Sequence, residues 1–172
     1  SWTGVPLKFP RIQGGDICGI IVQAGEGVEQ DRIGTRTIVR AMQNIPTKEN
    51  PLAMQTMGSE VDGGFAQYCV AKAKESFPIN CDWSDIELAS IPISYSTAEG
   101  MLCRGDIQKE TILITGASGG VGSAAIQLAQ VRGAKIIAQC APDKASALKE
   151  LGADKTVNRN DDLVKVLGEN SV

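Results

Sequence analysis

The chain has 172 residues, enough for one sizeable core or two small ones. Hydrophobic residues make up 42% and charged residues 22%, and the net charge of −3 leaves no electrostatic footprint for nucleic acid or anionic lipid. No apolar run reaches the length of a membrane span, and the start, SWTGVPLKFPRI, lacks the basic-then-apolar layout of a signal peptide. The expected partners are therefore small molecules, with neither nucleic acid nor a membrane.

The five cysteines, Cys18, Cys69, Cys81, Cys103 and Cys140, are odd in number, far apart and never form CxxC. That spacing argues against a disulfide scaffold and against a four-cysteine zinc site, and it favours a reducing, cytoplasmic setting. The chain holds no histidine. Histidine is thereby excluded as base, nucleophile partner or metal ligand within these residues.

In chain order, residues 16–22 (DICGIIV) are apolar and β-branched and predict a strand. Ala24 to Gly27 reads as a turn and 35–40 (TRTIVR) as a second strand. Residues 43–60 carry Pro46, Pro51, Asn44 and Asn50 without a clear period and read as a long surface loop. Residues 65–70 (FAQYCV) alternate like a strand after the turn signal of Gly63 and Gly64. The pattern changes near Asp82. A helix is expected after a cap at Ser84 or Asp82, and another over 96–103. From Thr111 strand and helix alternate: strand 111–115, helix 120–132, strand 135–140, helix 143–151, strand 155–158, helical tail from Asp161. Gly133 and Gly152 stand where helices end. This β-α-β-α-β order is the first half of a doubly wound nucleotide-binding sheet. Three parallel strands leave an open edge, so the sequence reads as part of a larger sheet or as completed by a partner.

The segment TILITGASGGVG, 111–122, concentrates the chemistry. A buried strand runs into Gly116, Ala117, Ser118, Gly119, Gly120, Val121 and Gly122, and then into a helix of small residues. Strand, glycine turn and helix place a phosphate on the helix N-terminus. Counting back from Gly122, the three turn positions are Ala117, Gly119 and Gly122, so the strict GxGxxG pattern fails by one methyl. The alternative is a tight turn that binds nothing. At the end of the second strand, Gln139, Cys140 and Ala141 include no acid to accept ribose hydroxyls. Lys144 follows, and Arg159 ends the third strand. Small neutral residues beside cations suit a 2′-phosphate, which favours NADP(H) over NAD(H). Against this, Lys144 has a plain reading as a solvated helix residue, with Asp143 as the helix's N-terminal acid.

Five segments in order, GGDICGIIVQAGEGV, IGTRTIV, DGGFAQYCV, PISYSTAEGML and ILITGASGGVGSAAIQLAQVRGAKII, resemble the medium-chain dehydrogenase/reductase superfamily. The similarity is greatest to its alcohol-dehydrogenase-like and quinone-oxidoreductase-like members, and it runs from about Pro10 onward. It implies an α/β chain: a partial GroES-like β domain over 1–93, then a partial Rossmann NAD(P)-binding domain over 94–172. Family enzymes extend beyond both ends of this sequence, so it resembles an internal fragment, which alone need not be active. It also implies a homo-oligomer and a substrate cleft between the two domains.

The resemblance further implies that Thr97 contacts the nicotinamide. Zinc-dependent members carry a His-Glu pair where this chain has Gly15 and Asp16, and a cysteine at Ile93. Their four-cysteine structural-zinc lobe would fall within 41–62, which holds no cysteine. Zinc is therefore not expected, since catalysis needs about three protein ligands and an open position. A carbonyl would then be polarised by hydroxyls, with Tyr95 and Thr97 as catalytic candidates and Ser94 and Ser96 beside them. For Tyr95 the alternative is a packed aromatic. The sequence YCVAK at 68–72 matches the YxxxK pair of short-chain dehydrogenases. In that family it follows the glycine turn on a helix, and here it precedes it. The expected function is a zinc-independent, NADP(H)-linked oxidoreductase acting on a small carbonyl, quinone or activated alkene. A zinc alcohol dehydrogenase with atypical ligands and a non-catalytic nucleotide-binding relative are the alternatives.

Overall fold

Ile17–Ile20 (β1) and Arg36–Val39 (β2) pair antiparallel, with Ile17 opposite Val39, and Ser76–Pro78 (β5) adds a third strand beyond β2. The computed structural model describes residues 6–169 and 171–172. It divides into two units, the first reaching Ile93 and the second running from Ser94 to Val172. In the first unit, β-branched residues on one face of β1 and β2 point inward, where Ile17, Val39 and Met57 form a small core. Thr37 is buried among them and donates its hydroxyl to Phe77 O at 2.8 Å.

Two arginines fix the chain around this sheet. Arg32 donates to Ala73 O (2.8 Å) and Ser76 O (2.7 Å). Arg36 donates to Cys81 O, to Trp83 O at 2.9 Å and to Asp85 Oδ1 at 3.4 Å. Planar guanidinium donors suit such sets of oxygens. They lead the chain into Asp85–Ala89 (α1), which Ser84 caps in a reciprocal box with Glu87, resolving the choice of cap in favour of serine.

Residues 43–60 are not a plain loop. Met42–Asn44 (β3) and Met54–Thr56 (β4) form a hairpin. Its buried residue is polar: Gln43 is 1% exposed, donates to Arg40 O and accepts from Gln55 Nε2 at 3.0 Å. Residues 65–70, expected as a strand, pair with no strand among the described residues, and Phe65, Tyr68 and Val70 are exposed. The adjoining residues explain the detour. The N–H groups of Gly63, Gly64 and Phe65 bond Ile12 O, Gly14 O and Gln13 O. Asp62 is held by Arg11 at 2.7 Å and by the Ile12 N–H. The two segments approach so closely that a Cβ on Gly63 would stand 2.1 Å from Gly14 O.

In the second unit Thr111–Ile114 (β6), Lys135–Cys140 (β7) and Lys155–Asn158 (β8) form a parallel sheet in the order β6-β7-β8. Gly120–Arg132 (α3) connects the first pair and Ala145–Glu150 (α4) the second, and Leu163–Leu167 (α5) follows. Gly133 ends α3 in the left-handed region at φ 83°. The core joins Ile126 and Ala129 of α3 to Ile136 and Ala138 of β7 and Leu148 of α4. Pro92–Arg104 (α2) lays Ala98 on Ala124 and Ala125, and small residues there let the helices approach closely. Glu99 and Arg132 link these helices at 2.6 Å.

Two outcomes follow. Gly63→Ala forces carbon into backbone and should lower stability by about 3 kcal/mol or more, read as the urea midpoint. Gly19→Ala, with nothing within 4 Å of its Cβ, should stay within about 0.5 kcal/mol of wild type. Equal midpoints would refute the close approach. The Arg132 hydrogen bond holds the Glu99 carboxyl below the usual glutamate range. Its contribution is thus complete above the ordinary glutamate pKa and fades as pH falls through the lowered one. A carboxyl NMR titration should show a low Glu99 midpoint in wild type and a higher one in Arg132→Gln.

Candidate functional site

The end of β6 turns through Gly116 into α3. Gly116 takes the left-handed conformation at φ 59°, whereas Ala117 does not. The alanine that departs from the strict glycine pattern is therefore unstrained, fully buried, and tied to β7 through its N–H to Gln139 O at 3.2 Å. Gly122 is required by space: a Cβ there would lie 2.5 Å from Gly116 O and 2.7 Å from Ala117 Cα. The helix thus starts directly behind the strand. Gly119 is its N-cap and offers no side chain to its amides. Within the turn the Gly119 N–H bonds Gly116 O at 3.0 Å, and the first helical hydrogen bond is Ser123 N–H to Gly119 O at 2.9 Å. The N–H groups of Gly120, Val121 and Gly122 have no protein acceptor among the described residues. Ser118, Gly119 and Gly120 are exposed beside them. Three unpaired donors at the positive end of a helix dipole suit a phosphate.

Cys140, Lys144 and Arg159 lie at the same carboxyl end of the parallel sheet, where β7 and β8 finish. Cys140 closes β7 and is 5% exposed. Its carbonyl accepts the Arg159 N–H at 3.0 Å, and Ala141 O accepts the Lys144 N–H at 3.0 Å. A cleft of about 210 Å³ lies between, lined by Cys140, Pro142, Ala145, Thr156, Val157 and Asn158. Lys144 is exposed and paired with Asp143 at 3.6 Å. Arg159 is exposed and has no ion pair among the described residues.

The three α2 candidates separate. Ser94 stands against the glycine turn, its Oγ 2.7 Å from where a Gly120 Cβ would be. Thr97, three residues on, shares that side of the helix. Tyr95 does not. Its ring packs with Ala98, Ala124 and Ala125, and its hydroxyl accepts from Gln127 Nε2 at 2.9 Å. That partner lies about 10 Å along α3 from Gly120 at 1.5 Å per residue. The Tyr95 hydroxyl is thus directed along α3 rather than at its N-terminus. Gln127 went unnoticed in the sequence, where an i+4 neighbour of Ser123 on a helix face carries no signal.

The positions where related zinc enzymes hold metal do not fit a zinc ion. A Cβ on Gly15 would lie 2.8 Å from Ile93 Cδ1 and 3.3 Å from Met57 O, so the isoleucine fills the space beside the glycine. Asp16 spends its carboxylate on α2, with Oδ1 accepting the Ile93 N–H at 2.8 Å. Among the described residues no three Cys, Asp or Glu side chains gather as a metal would need. Cys18 is near Asp85 at 3.8 Å, and burial followed by that carboxylate pushes its thiol pKa up, which disfavours the ligating thiolate.

Comparison with known proteins agrees with this architecture. Residues 1–81 match the alcohol dehydrogenase GroES-like domain, and residues 120–170 match the zinc-binding dehydrogenase domain. The quinone-oxidoreductase homolog of Spinacia oleracea, described as chloroplastic, is 30% identical over 161 residues, covering 90% of this chain and 44% of that protein. An alcohol dehydrogenase of Geobacillus stearothermophilus is 30% identical over 169 residues, covering 92% and 49%. A crystal structure from Sinorhizobium meliloti 1021, described as a candidate alcohol dehydrogenase, superposes with a TM-score of 0.84 at 43% identity, covering 92% of this chain and 45% of that one. The chain spans about half the length of these relatives. No helix among the described residues is long and apolar enough to cross a membrane. With a GroES-like unit preceding a glycine turn on a parallel β6-β7-β8 sheet, this chain belongs to the medium-chain dehydrogenase/reductase superfamily.

Proposed function

We propose that the chain belongs to an oxidoreductase that uses NADP(H), without zinc, on a small carbonyl, quinone or activated alkene. The observation that carries this reading is the trio of unpaired amides at Gly120, Val121 and Gly122, with glycine wherever α3 meets β6. These amides would hold the pyrophosphate, and Gly116, Ala117, Ser118 and Gly119 would shape the approach. The cleft beside Cys140 would take the adenosine, with Lys144 and Arg159 meeting the 2′-phosphate as charge-assisted donors. Thr97 would lie along the nicotinamide. Bound nicotinamide supplies the hydride.

Zinc independence rests on the donor chemistry of Gly15, Asp16 and Ile93. One residue has no side chain, one carboxylate is engaged by a helix amide, and one side chain is apolar. Polarisation of a carbonyl then falls to a hydroxyl, with Thr97 better placed for it than Tyr95. The two-domain arrangement, with its boundary at 93/94, is supported by the division of contacts at the same point. A cytoplasmic homo-oligomer remains part of this reading, consistent with five free thiols. One observation favours NADH as a second reading: Asp143 pairs with Lys144 and places a carboxylate near the ribose end of the cleft.

A fluorescence titration decides between the cofactors. NADPH should bind at least tenfold more tightly than NADH, and Lys144→Ala should cost about tenfold for NADPH alone, as charge-assisted hydrogen bonds are worth roughly 1.5–3 kcal/mol. Tighter NADH binding in wild type would reverse the assignment. After dialysis against a chelator, elemental analysis should find no stoichiometric zinc, and turnover of a quinone or enone should persist. Zinc at one per chain whose removal abolishes turnover would defeat the metal-free reading.

A further inference from the structure

We infer that Ser94 is an additional cofactor ligand whose hydroxyl donates to the pyrophosphate beside the α3 amides. The inference rests on the dinucleotide reading of the glycine turn and adds a side chain to a site otherwise made of backbone.

Ser94 Oγ lies 2.7 Å from the point where a Cβ on Gly120 would stand, and Ser94 Cβ lies 3.7 Å from it. The hydroxyl is thus the part of the residue turned toward the helix start. Gly120 is exposed at that point, so the hydroxyl borders the open mouth of the turn. No protein group bonds the Ser94 side chain among the described residues, although a hydroxyl can donate once and accept twice. Beside it stand the unpaired N–H groups of Gly120, Val121 and Gly122. An anion held by those amides would be within reach of a hydroxyl that has no competing partner.

The position of Ser94 is held from the rest of α2. Ala98, one turn later, is fully buried against Ala124. Tyr95 is anchored by Gln127 at 2.9 Å, and Glu99 by Arg132 at 2.6 Å. These contacts fix the rotation and the register of α2 on α3, and with them the place of Ser94. Gly120 acquires a second purpose, because the side chain of an alanine there would meet the Ser94 hydroxyl. Oriented hydroxyls on a fixed helix add affinity with little ordering cost.

The test uses the intact protein, with Ser94→Ala and Ser94→Asp, and two probes: NADPH, and adenosine 2′-monophosphate, which carries no 5′-phosphate. Ser94→Ala should weaken NADPH about tenfold and leave the 2′-monophosphate unchanged. Ser94→Asp should weaken NADPH by more than a hundredfold through charge repulsion, with thermal stability unchanged or higher, since an acid near a helix N-terminus is favourable. NADPH affinity equal to wild type in both variants would overturn the inference. Equal loss for both probes would also overturn it, since that is the pattern of a merely structural residue. If wild type binds NADH and not NADPH, the 2′-phosphate assignment fails separately, and the same comparison is made with NADH against adenosine.

Discussion

The second unit depends on how closely α3 begins behind β6. Gly122 has no Cβ because Gly116 O and Ala117 Cα already occupy that space. This approach points the first amides of the helix at one place and leaves them unpaired. It also buries Ile126 and Ala129 against β7, so the geometry that exposes the donors is the geometry that builds the core. A helix moved outward by one methyl group would lose packing and donor convergence together.

The first unit is held differently. Its apolar core is small, and much of its order comes from arginine donors and backbone crossings. Arg32 and Arg36 each gather carbonyls from distant segments, and residues 12–14 run against 62–65 through three amide bonds. Polar ties of this kind are directional, so they fix loops that an apolar contact would let slide. The same economy applies at the position where related enzymes carry metal. There Asp16 serves a helix amide, and Ile93 packs beside Gly15.

Much of the second unit was legible in the sequence. The runs ILI at 112–114 and KIIAQC at 135–140, with Gly133 between helix and strand, specify parallel strands and a helix stop by local chemistry alone. Ser84 with Glu87 is a capping box readable at three-residue spacing. The first unit was less legible. The hairpin at 42–56 hides because its buried residue is Gln43, satisfied by Arg40 O and Gln55, so no apolar alternation marks it. Residues 65–70 alternate but have no strand alongside, and alternation specifies a strand only when a neighbour completes the ladder. At the candidate site, the glycines were readable and the side-chain directions were not. Tyr95 faces Gln127 through a choice of rotamer, and Asp16 meets Ile93 across 77 residues. Neither relation leaves a local trace.

The central claim is that the amides at the start of α3 receive the pyrophosphate of a dinucleotide. The most direct measurement is an amide NMR titration of the 15N-labelled protein with NADPH. The account predicts that Gly120, Val121 and Gly122 show the largest downfield shifts, as free donors acquire a charged acceptor. Saturable binding with these three amides unmoved would contradict it.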